Sequence, residues 1–364
     1  MKYLKNMKTS TKVDFATYAG VIIAFVIVMA ASSAGRLNRS ASGMLVPICC
    51  YIVMAVSLNL TVGILGELSL GHAGFMSVGA FSGIIAAMSL QGAIPSPLLR
   101  LVIAIVVGAV FAAITGVIVG VPVLRLRGDY LAIVTLAFGE IIRDLLNCLL
   151  VGFDSSGLHI ALNLKGNMTV DDLSMDETGL AIIKGAQGAV GVEKISTFAV
   201  GFVLIMLTLI VVLNLVNSRT GRAIMALRDN RIAAESVGIN VTKYKLIAFI
   251  TSAAMAGSAG ALYGLNYSSI VSSKFDFNTS ILVLVYVVLG GLGNIWGSII
   301  AATVLYILPE ALRQFSDYRM LVYAIVLIIV MLATNNPTLK GLVERLFRRG
   351  EDDDETDARG GTEK

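Results

Sequence analysis

The sequence predicts an all-α protein, a polytopic membrane helical bundle of about ten transmembrane segments with glycine-broken, re-entrant stretches. Hydrophobic residues make up 56% of the chain and charged residues only 14%, and the mean hydropathy is +0.84. A soluble domain of this composition would aggregate. Apolar runs long enough to cross about 30 Å of hydrocarbon recur along the chain, and the short segments between them carry most of the cations.

The first apolar run extends from about residue 15 to residue 34 and follows four lysines. Small residues stand at its end, so a cleaved signal peptide is the alternative interpretation, although the run is long for the apolar core of one. Nine further candidate spans lie at about 44–60, 74–90, 98–121, 130–151, 197–216, 246–265, 280–289, 298–312 and 320–332. An even number of spans places both termini on the same side.

The lysine and arginine residues indicate which side that is. With both termini inside, the N-terminal lysines, Arg125, Arg127, the cations of residues 218–245 and those of the tail all lie inside. They outnumber the cations assigned to the outside by about two to one, and Arg143 falls within a span. Positive-inside bias therefore predicts that both termini are cytoplasmic. The net charge of +4 comes mainly from cations in the predicted cytoplasmic segments, so it indicates membrane topology and gives no support for nucleic-acid binding.

Two glycine-rich stretches interrupt the apolar pattern. The first glycine break, residues 63–75, reads GILGELSLGHAGF, and the second glycine break, residues 290–298, reads GGLGNIWGS. Each follows a span predicted to run inward, and both contain GxLG. Glycine and charge destabilise a plain helix in hydrocarbon, so we expect broken backbone here to line a protein cavity or a water-filled path. For the first break, a tight turn at the cytoplasmic surface with Glu67 solvated is the alternative.

The fifth candidate span carries three charged residues on one helical face. Glu140, Arg143 and Asp144 are spaced i, i+3 and i+4, so Arg143 can neutralise Glu140. An unpaired charge at this depth would cost several kcal/mol, which favours a structural ion pair between Glu140 and Arg143. The alternative is that these two side chains hold the charged ends of an amino acid.

Residues 218–245, the basic segment, lie between two strongly apolar runs and carry six cations. Alanines and unbranched residues predict two short helices, with Asp229 as a possible N-cap and Gly238 at a left-handed C-cap. Helices this short are marginal alone in water, so we expect them to be stabilised by docking into a partner. A solvated connector on the membrane surface is the alternative.

The string GRAIMALRDNRIAAESVGINVTKYKLIAF resembles the coupling segment of the permeases of branched-chain amino acid ABC importers, the LivM-type and LivH-type pair. LSLGHAGFMSVGAF, RLRGDYLAIVTLAFGEIIR and VLGGLGNIWGSIIAA resemble further stretches of the same family. The resemblance implies that this segment inserts into a cleft of a cytoplasmic ATPase. The implied contact residues are Gly221, Arg222, Ala223, Arg228, Asp229, Ala233, Ala234, Glu235, Gly238 and Ile239.

The same resemblance implies that the two glycine breaks and the fifth span form the translocation path. Its candidate residues are Gly66, Glu67, Ser69, Gly71, His72, Gly74, Glu140, Gly290, Gly291, Gly293 and Asn294. The transmembrane permease domain is expected at 15–336, and two segments depart from the family: a cytoplasmic N-terminal extension (1–14) and a cytoplasmic tail (337–364), whose clustered charges predict disorder. Within the permease domain, 152–196 is an extracytoplasmic loop that is longer than usual for the family, and alternating residues near 158–164 predict a short strand in it.

The function implied is that of a permease subunit in a bacterial plasma membrane. The expected partners are a sibling permease, two ABC ATPase subunits and an extracytoplasmic solute-binding protein, with branched-chain or related amino acids as cargo. The chain has no GxxxxGK[ST] phosphate loop, so another chain must bind ATP. His72 and His159 lack neighbours at ligand spacing, and no metal or other cofactor is expected. The alternatives are a permease for urea or another small amide, and a stand-alone membrane channel or enzyme.

Overall fold

The computed structural model describes residues 9–34, 38–126, 128–154, 157–163 and 179–312, together with 321, 324, 325, 327 and 328. The chain divides into two compact units, Met1–Val304 and Leu305–Lys364, and the architecture below is that of the first unit. Residues 1–8 of the predicted N-terminal extension, most of the tenth candidate span and the whole of the predicted tail lie outside the described residues. The remainder of the extension, from Thr9, belongs to the first helix.

The described part of the chain is mostly helical. Its α-helices are α1 (Thr9–Ser33), α2 (Arg39–Asn59), α3 (His72–Ser89), α4 (Pro97–Val123), α5 (Asp129–Asn147), α6 (Phe198–Asn217), α7 (Arg219–Asp229), α8 (Arg231–Ser236), α9 (Val241–Gly264), α10 (Phe277–Gly290) and α11 (Ile295–Ala311). A π-helical turn, Leu60–Ile64, prolongs α2, and 3₁₀ turns lie at Gly185–Gln187 and Ser272–Lys274.

Six helical stretches in the described residues are long and apolar enough to cross a membrane. They are Ser40–Ile64, His72–Ser89, Pro97–Val123, Phe198–Asn217, Val241–Gly264 and Ser272–Gly290, and two shorter apolar helices lie at Thr17–Ala31 and Ile295–Ala311. Each of the first nine candidate spans overlaps one of the helices α1–α6 or α9–α11. This establishes a multi-pass membrane protein, whereas the predicted count of about ten spans is not confirmed.

Helices α3, α4 and α9 pack closely because small residues face each other where they meet. Helix α4 buries a stripe of small residues at every fourth position: Ala104, Gly108, Ala112, Gly116 and Gly120. A methyl group added at Gly108 would lie 2.9 Å from Cβ of Ala261, and one at Gly79 would overlap the carbonyl oxygen of Gly257. The backbones therefore approach each other directly, as small residues at helix interfaces allow in membranes.

Helix α2 packs against α9, α6 and α10. Its side chains at Val53, Met54, Ala55 and Leu58 are completely buried. Helix α4, by contrast, exposes Val102, Val106 and other branched residues on the face opposite its small-residue stripe. An apolar face of this kind needs lipid or another membrane helix against it.

The predicted all-α class omits an antiparallel sheet, which is formed by four strands between α5 and α6 and one between α9 and α10. The strands are β1 (Leu149–Asp154), β2 (Gly157–Leu162), β3 (Leu180–Lys184), β4 (Ala189–Val190) and β5 (Ser269–Ile270), in the spatial order β2-β1-β3-β4-β5. Strand β2 confirms the short strand predicted from alternation. The predicted fifth span was too long at its C-terminal end, because α5 stops at Asn147 and β1 begins at Leu149.

Candidate functional site

The first glycine break forms where α2 loses its regular hydrogen bonding. After Asn59 the chain makes the π-helical turn, and Gly66 then adopts φ +79°, which favours glycine. Irregular backbone continues until α3 begins at His72. A methyl group at Gly66 would also lie 2.6 Å from Cγ of Arg228, so the sequence must keep glycine here for space as well as for conformation.

Glu67, the charged residue of the first break, forms an ion pair with Lys245 in the first turn of α9. The Lys245 side chain is 5% exposed and that of Glu67 is 17% exposed. A solvated Glu67 in a surface turn, which the sequence left open, is therefore wrong. Two largely dehydrated charges that face each other stabilise the fold only as a pair, because removal of either leaves the other uncompensated.

Arg228, near the end of α7, joins the basic segment to the same break. Its guanidinium Nη1 donates a hydrogen bond of 2.9 Å to the carbonyl oxygen of Gly63. The neighbouring Nη2 lies 3.3 Å from Oδ1 of Asp229. A bond from a charged donor to a backbone carbonyl freed by the irregular turn is stronger than a neutral one. Two elements that are far apart in sequence are thereby connected.

The second glycine break lies against the first. Gly291 and Gly293 adopt φ +92° and +83° between the end of α10 and the start of α11. The side-chain amide of Asn59 is wholly buried and makes two hydrogen bonds to this turn. Its oxygen accepts from Gly293 N–H at 2.8 Å, and its nitrogen donates to the carbonyl oxygen of Asn294 at 3.0 Å. Its NH₂ group also lies 2.9 Å from Oγ of Ser298.

The structure thus brings part of the predicted path together at one end of the bundle. Gly293 and Asn294 of the second break contact Gly63 and Asn59, whereas Gly66 lies against Arg228 and Glu67 pairs with Lys245. Gly290 packs tightly on Gly297 within the second break. Two side chains of the basic segment contact the first break: Arg228 bonds to Gly63, and Lys245 pairs with Glu67.

The other candidates of the first break are engaged in helix packing. A methyl group at Gly71 would overlap the carbonyl oxygen of Thr135, and one at Gly74 would lie 2.9 Å from Cα of Gly139, both on α5. His72 is buried with Nε2 2.8 Å from Oγ of Ser57. The Ser57 hydroxyl also lies 2.9 Å from the carbonyl oxygen of Met54, so His72 is held within the helix packing.

Ser69 differs from its neighbours in the first break. Its side chain is 1% exposed, and among the described residues its hydroxyl has no hydrogen-bond partner. Buried hydroxyls are usually satisfied, so this position carries a local energetic cost.

Glu140 lies apart from this contact and forms the predicted ion pair. Nη1 of Arg143 is 2.6 Å from Oε2 of Glu140, and Nη2 is 2.9 Å from Oδ1 of Asp144. Glu140 also accepts a 3.1 Å hydrogen bond from the backbone N–H of Phe277, the first residue of α10. A carboxylate at this position satisfies a free N–H group and complements the positive end of the helix.

The basic segment contains the two short helices that were predicted, α7 and α8. Ser218, Asn230 and Asn240 cap α7, α8 and α9 in turn, each accepting from the backbone N–H three residues later. The cap between α7 and α8 is Asn230, so the predicted cap at Asp229 was wrong by one residue. Gly238 has the predicted left-handed conformation, with φ +87°.

The inner face of the basic segment is a small apolar cluster of Leu227, Ala234 and Val241. Ala234 is only 4% exposed, so its side chain packs within the subunit and cannot face a partner directly. Gly221 is also internal, because a methyl group there would overlap the backbone at the end of α6. These two of the ten implied contact residues therefore shape the segment itself.

The outer face of the segment is exposed and partly apolar. Ile232 and Val237 are each 77% exposed, and Ala233 and Glu235 lie beside them. Glu235 pairs with Arg231 across one helical turn at 3.1 Å. Large aliphatic side chains held this far into water on a rigid turn are typical of a protein contact surface.

The sequence does not indicate the roles of two residues at the glycine breaks. Lys245, the partner of Glu67, contributes only to the predicted charge bias, and Asn59 falls within a predicted span. A buried amide near the end of an apolar run was the available signal for Asn59, because polar side chains within membrane spans are usually paired. Nothing local in the sequence indicated its partner, which lies 234 residues further along the chain.

The protein is a multi-pass membrane protein, because several of its helices are long and apolar enough to span a membrane. Its basic segment is bonded to the first glycine break, which connects a loop to the spanning helices. Comparison with known families identifies the class. Residues 40–331 match the family described as the permease component of branched-chain amino acid transport systems, and the chain belongs to that family.

Individual relatives agree with this assignment. The high-affinity branched-chain amino acid transport system permease protein LivM of Escherichia coli (strain K12) is 33% identical over 293 residues, which cover 78% of this chain and 66% of that protein. LivM of Salmonella typhimurium is 35% identical over 292 residues, with the same shares covered. The ribose import permease protein RbsC of Haemophilus influenzae is 32% identical over 123 residues, 32% of this chain and 38% of that protein.

The chain therefore spans just under two thirds of the length of the LivM proteins that it resembles. No solved structure matches it significantly.

Proposed function

We propose that this chain is a permease subunit of an ABC importer that carries branched-chain or related hydrophobic amino acids into the cell. It pairs with a sibling permease, receives its cargo from an extracytoplasmic solute-binding protein, and is driven by two separate cytoplasmic ATPase subunits. The transport path opens alternately to the two sides of the membrane. Both termini and the basic segment are cytoplasmic, in agreement with the bias of the cations.

The observation that supports coupling is the bond from Arg228 to Gly63. One face of the basic segment exposes Ile232 and Val237 to water, and the end of α7 is bonded to the irregular backbone of the first break. A partner that docks on the exposed face and moves the segment would pull directly on the break. This gives the segment a mechanical role that a solvated connector would not have.

The extent of the similarity supports the cargo. The LivM proteins match across 78% of this chain, whereas the ribose permease matches across 32%. The described residues offer Glu140 and Arg143 as charged groups in α5, but these neutralise each other. We therefore assign that pair a structural role and do not place the amino acid there.

Reconstitution tests the proposed function. The chain is co-expressed with a sibling permease, ATPase subunits and a solute-binding protein from the same organism, and uptake of radiolabelled leucine, isoleucine and valine into proteoliposomes is measured. Urea and ribose serve as competing cargoes. We expect uptake that requires both ATP and the binding protein and is inhibited by unlabelled leucine. An assembled complex that transports urea or ribose but no branched-chain amino acid would show that the cargo is wrong.

A further inference from the structure

Asn59 occupies an unusual position at the contact between the two glycine breaks. It is the last residue of α2, it is completely buried, and the chain turns irregular immediately after it. Its amide oxygen accepts from Gly293 N–H at 2.8 Å, and its amide nitrogen donates to the carbonyl oxygen of Asn294 at 3.0 Å and to Oγ of Ser298 at 2.9 Å. The Asn59 side chain therefore bonds to both a backbone N–H group and a backbone carbonyl oxygen in the turn between α10 and α11.

The turn needs this partner because its backbone is irregular. Helix α10 has ended and α11 has not yet begun, so Gly293 N–H has no acceptor within a helix and bonds to Asn59 instead. The carbonyl oxygen of Asn294 accepts from the backbone N–H of Ser298 at 3.2 Å and takes the Asn59 amide as a further donor. In a membrane such groups must be satisfied from within the protein. An amide is the side chain that can both accept and donate here, which neither a carboxylate nor an aliphatic side chain can do.

The same residue is directly connected to the first break. A methyl group at Gly63 would overlap both Oδ1 of Asn59 and the backbone nitrogen of Gly293, so the three residues are in close contact. Gly63 is the residue whose carbonyl oxygen accepts from Arg228. A continuous series of contacts therefore leads from the basic segment through Gly63 to Asn59 and on to the second break.

We propose that Asn59 is a positioning residue that ties the two glycine breaks into one unit, so that a displacement of the basic segment moves both breaks together. This inference rests on the proposed function for its role in transport. The tie itself is a property of the chain alone. Without the amide, the first break would still follow Arg228, whereas the second break would be released.

Hydrogen exchange on the purified chain in lipid nanodiscs tests the tie without any partner. Asn59→Leu removes all three hydrogen bonds and keeps the same branching of heavy atoms, and Asn59→Asp, when ionised, keeps the acceptor for Gly293 but cannot donate to the carbonyl oxygen of Asn294. We expect faster amide exchange in a peptide covering 290–298 in both variants, with the larger change in Asn59→Leu. Thr208→Val is the matched control, because the buried Thr208 hydroxyl bonds only to the backbone of its own helix, at Leu204. It should leave exchange in 290–298 unchanged.

If Asn59→Leu does not yield folded chain, Asn59→Ala takes its place, since it removes all three bonds without adding bulk. Exchange in 290–298 that equals the wild-type rate in the variant that folds would overturn the proposal.

Transport measurements in the reconstituted importer then test the consequence. We expect Asn59→Leu to hydrolyse ATP but to move about fivefold less amino acid per ATP, at the low end of the usual range for coupling between two sites. Faster exchange with unchanged transport per ATP would retain the tie but refute its role in coupling. Failure of the wild-type chain to transport amino acids would refute the proposed function and leave the exchange result standing.

Discussion

The guanidinium of Arg228 donates a hydrogen bond to the carbonyl oxygen of Gly63, a residue 165 positions earlier in the chain. It is a direct polar bond between the basic segment and the glycine breaks. The π-helical turn Leu60–Ile64 ends one residue after Gly63, so this carbonyl lies at a helix end, where carbonyl groups lack a partner within the helix. Local irregularity in one element thus creates the attachment point for another.

Loss of this bond should weaken coupling without unfolding the chain. We expect Arg228→Ala to assemble normally and to reduce amino acid uptake several-fold, because a charged hydrogen bond at a half-exposed site contributes about 1 kcal/mol. Uptake and ATP hydrolysis are measured in the same proteoliposomes. Lys243→Ala is the matched control, since the exposed Lys243 side chain forms no hydrogen bond or ion pair with the described residues. Equal effects of the two variants would contradict a specific role for Arg228.

The ion pair between Glu67 and Lys245 should be needed for stability as a pair. Glu67→Gln leaves a lysine that is 5% exposed without its counter-charge, and we expect it to destabilise the chain by about 3 kcal/mol. Replacing both residues, by Gln and Met, should recover most of that loss. Thermal unfolding midpoints of the purified single and double variants provide the measurement. A double variant no more stable than the single one would show that the pair does not act as a unit.

The two sides of α8 should respond differently to substitution. Ile232→Ser and Val237→Ser change side chains that are each 77% exposed, so we expect normal assembly of the permease pair but loss of ATPase binding. Ala234→Trp overfills the cluster with Leu227 and Val241 and should cost about 1–3 kcal/mol, which reduces the amount of folded subunit. Pull-down of the ATPase together with the yield of folded chain separates the two outcomes. Normal ATPase binding by both Ser variants would exclude this face as the docking surface.

The Glu140–Arg143 pair should be structural, and its two members should not be equivalent. In Glu140→Gln the guanidinium keeps Asp144 at 2.9 Å, whereas in Arg143→Gln the Glu140 carboxylate keeps only the backbone N–H of Phe277. We therefore expect Arg143→Gln to lower the amount of assembled complex more than Glu140→Gln does. The double variant should recover assembly and retain uptake. A double variant that assembles well but transports nothing would assign the pair to cargo binding instead.

Local patterns predicted the helices well because each one depends on its own residues. Apolar runs placed nine of the helices, and the Gly238 C-cap and the two short helices of the basic segment followed from composition. The five-stranded sheet was largely missed because β4 and β5 contain two residues each, too few for an alternating pattern. Such strands exist only because longer ones offer an edge to pair with.

The contacts of the candidate site could not be predicted in the same way. Glu67 and Lys245 are 178 residues apart, and a single sequence contains no information on which of its many cations faces a given carboxylate. The inward direction of Ala234 is set by packing against Leu227 and Val241, since a helix as short as α8 has too few turns for its own periodicity to define a face. Tertiary packing determines both the pairing of Glu67 with Lys245 and the inward direction of Ala234.

The small-residue stripe on α4 also determines the order in which the chain can complete its fold during synthesis. Helices α3 and α4 are made early and adjacent to each other, but the partner that fills the groove at Gly108 and Gly116 is α9, which the ribosome produces more than a hundred residues later. Until then, newly inserted α3 and α4 present glycine backbone to lipid, where no side chain shields it. Chains halted before α9 should accordingly be targets for membrane proteases, and the arrival of α9 marks the point at which the nascent permease becomes resistant.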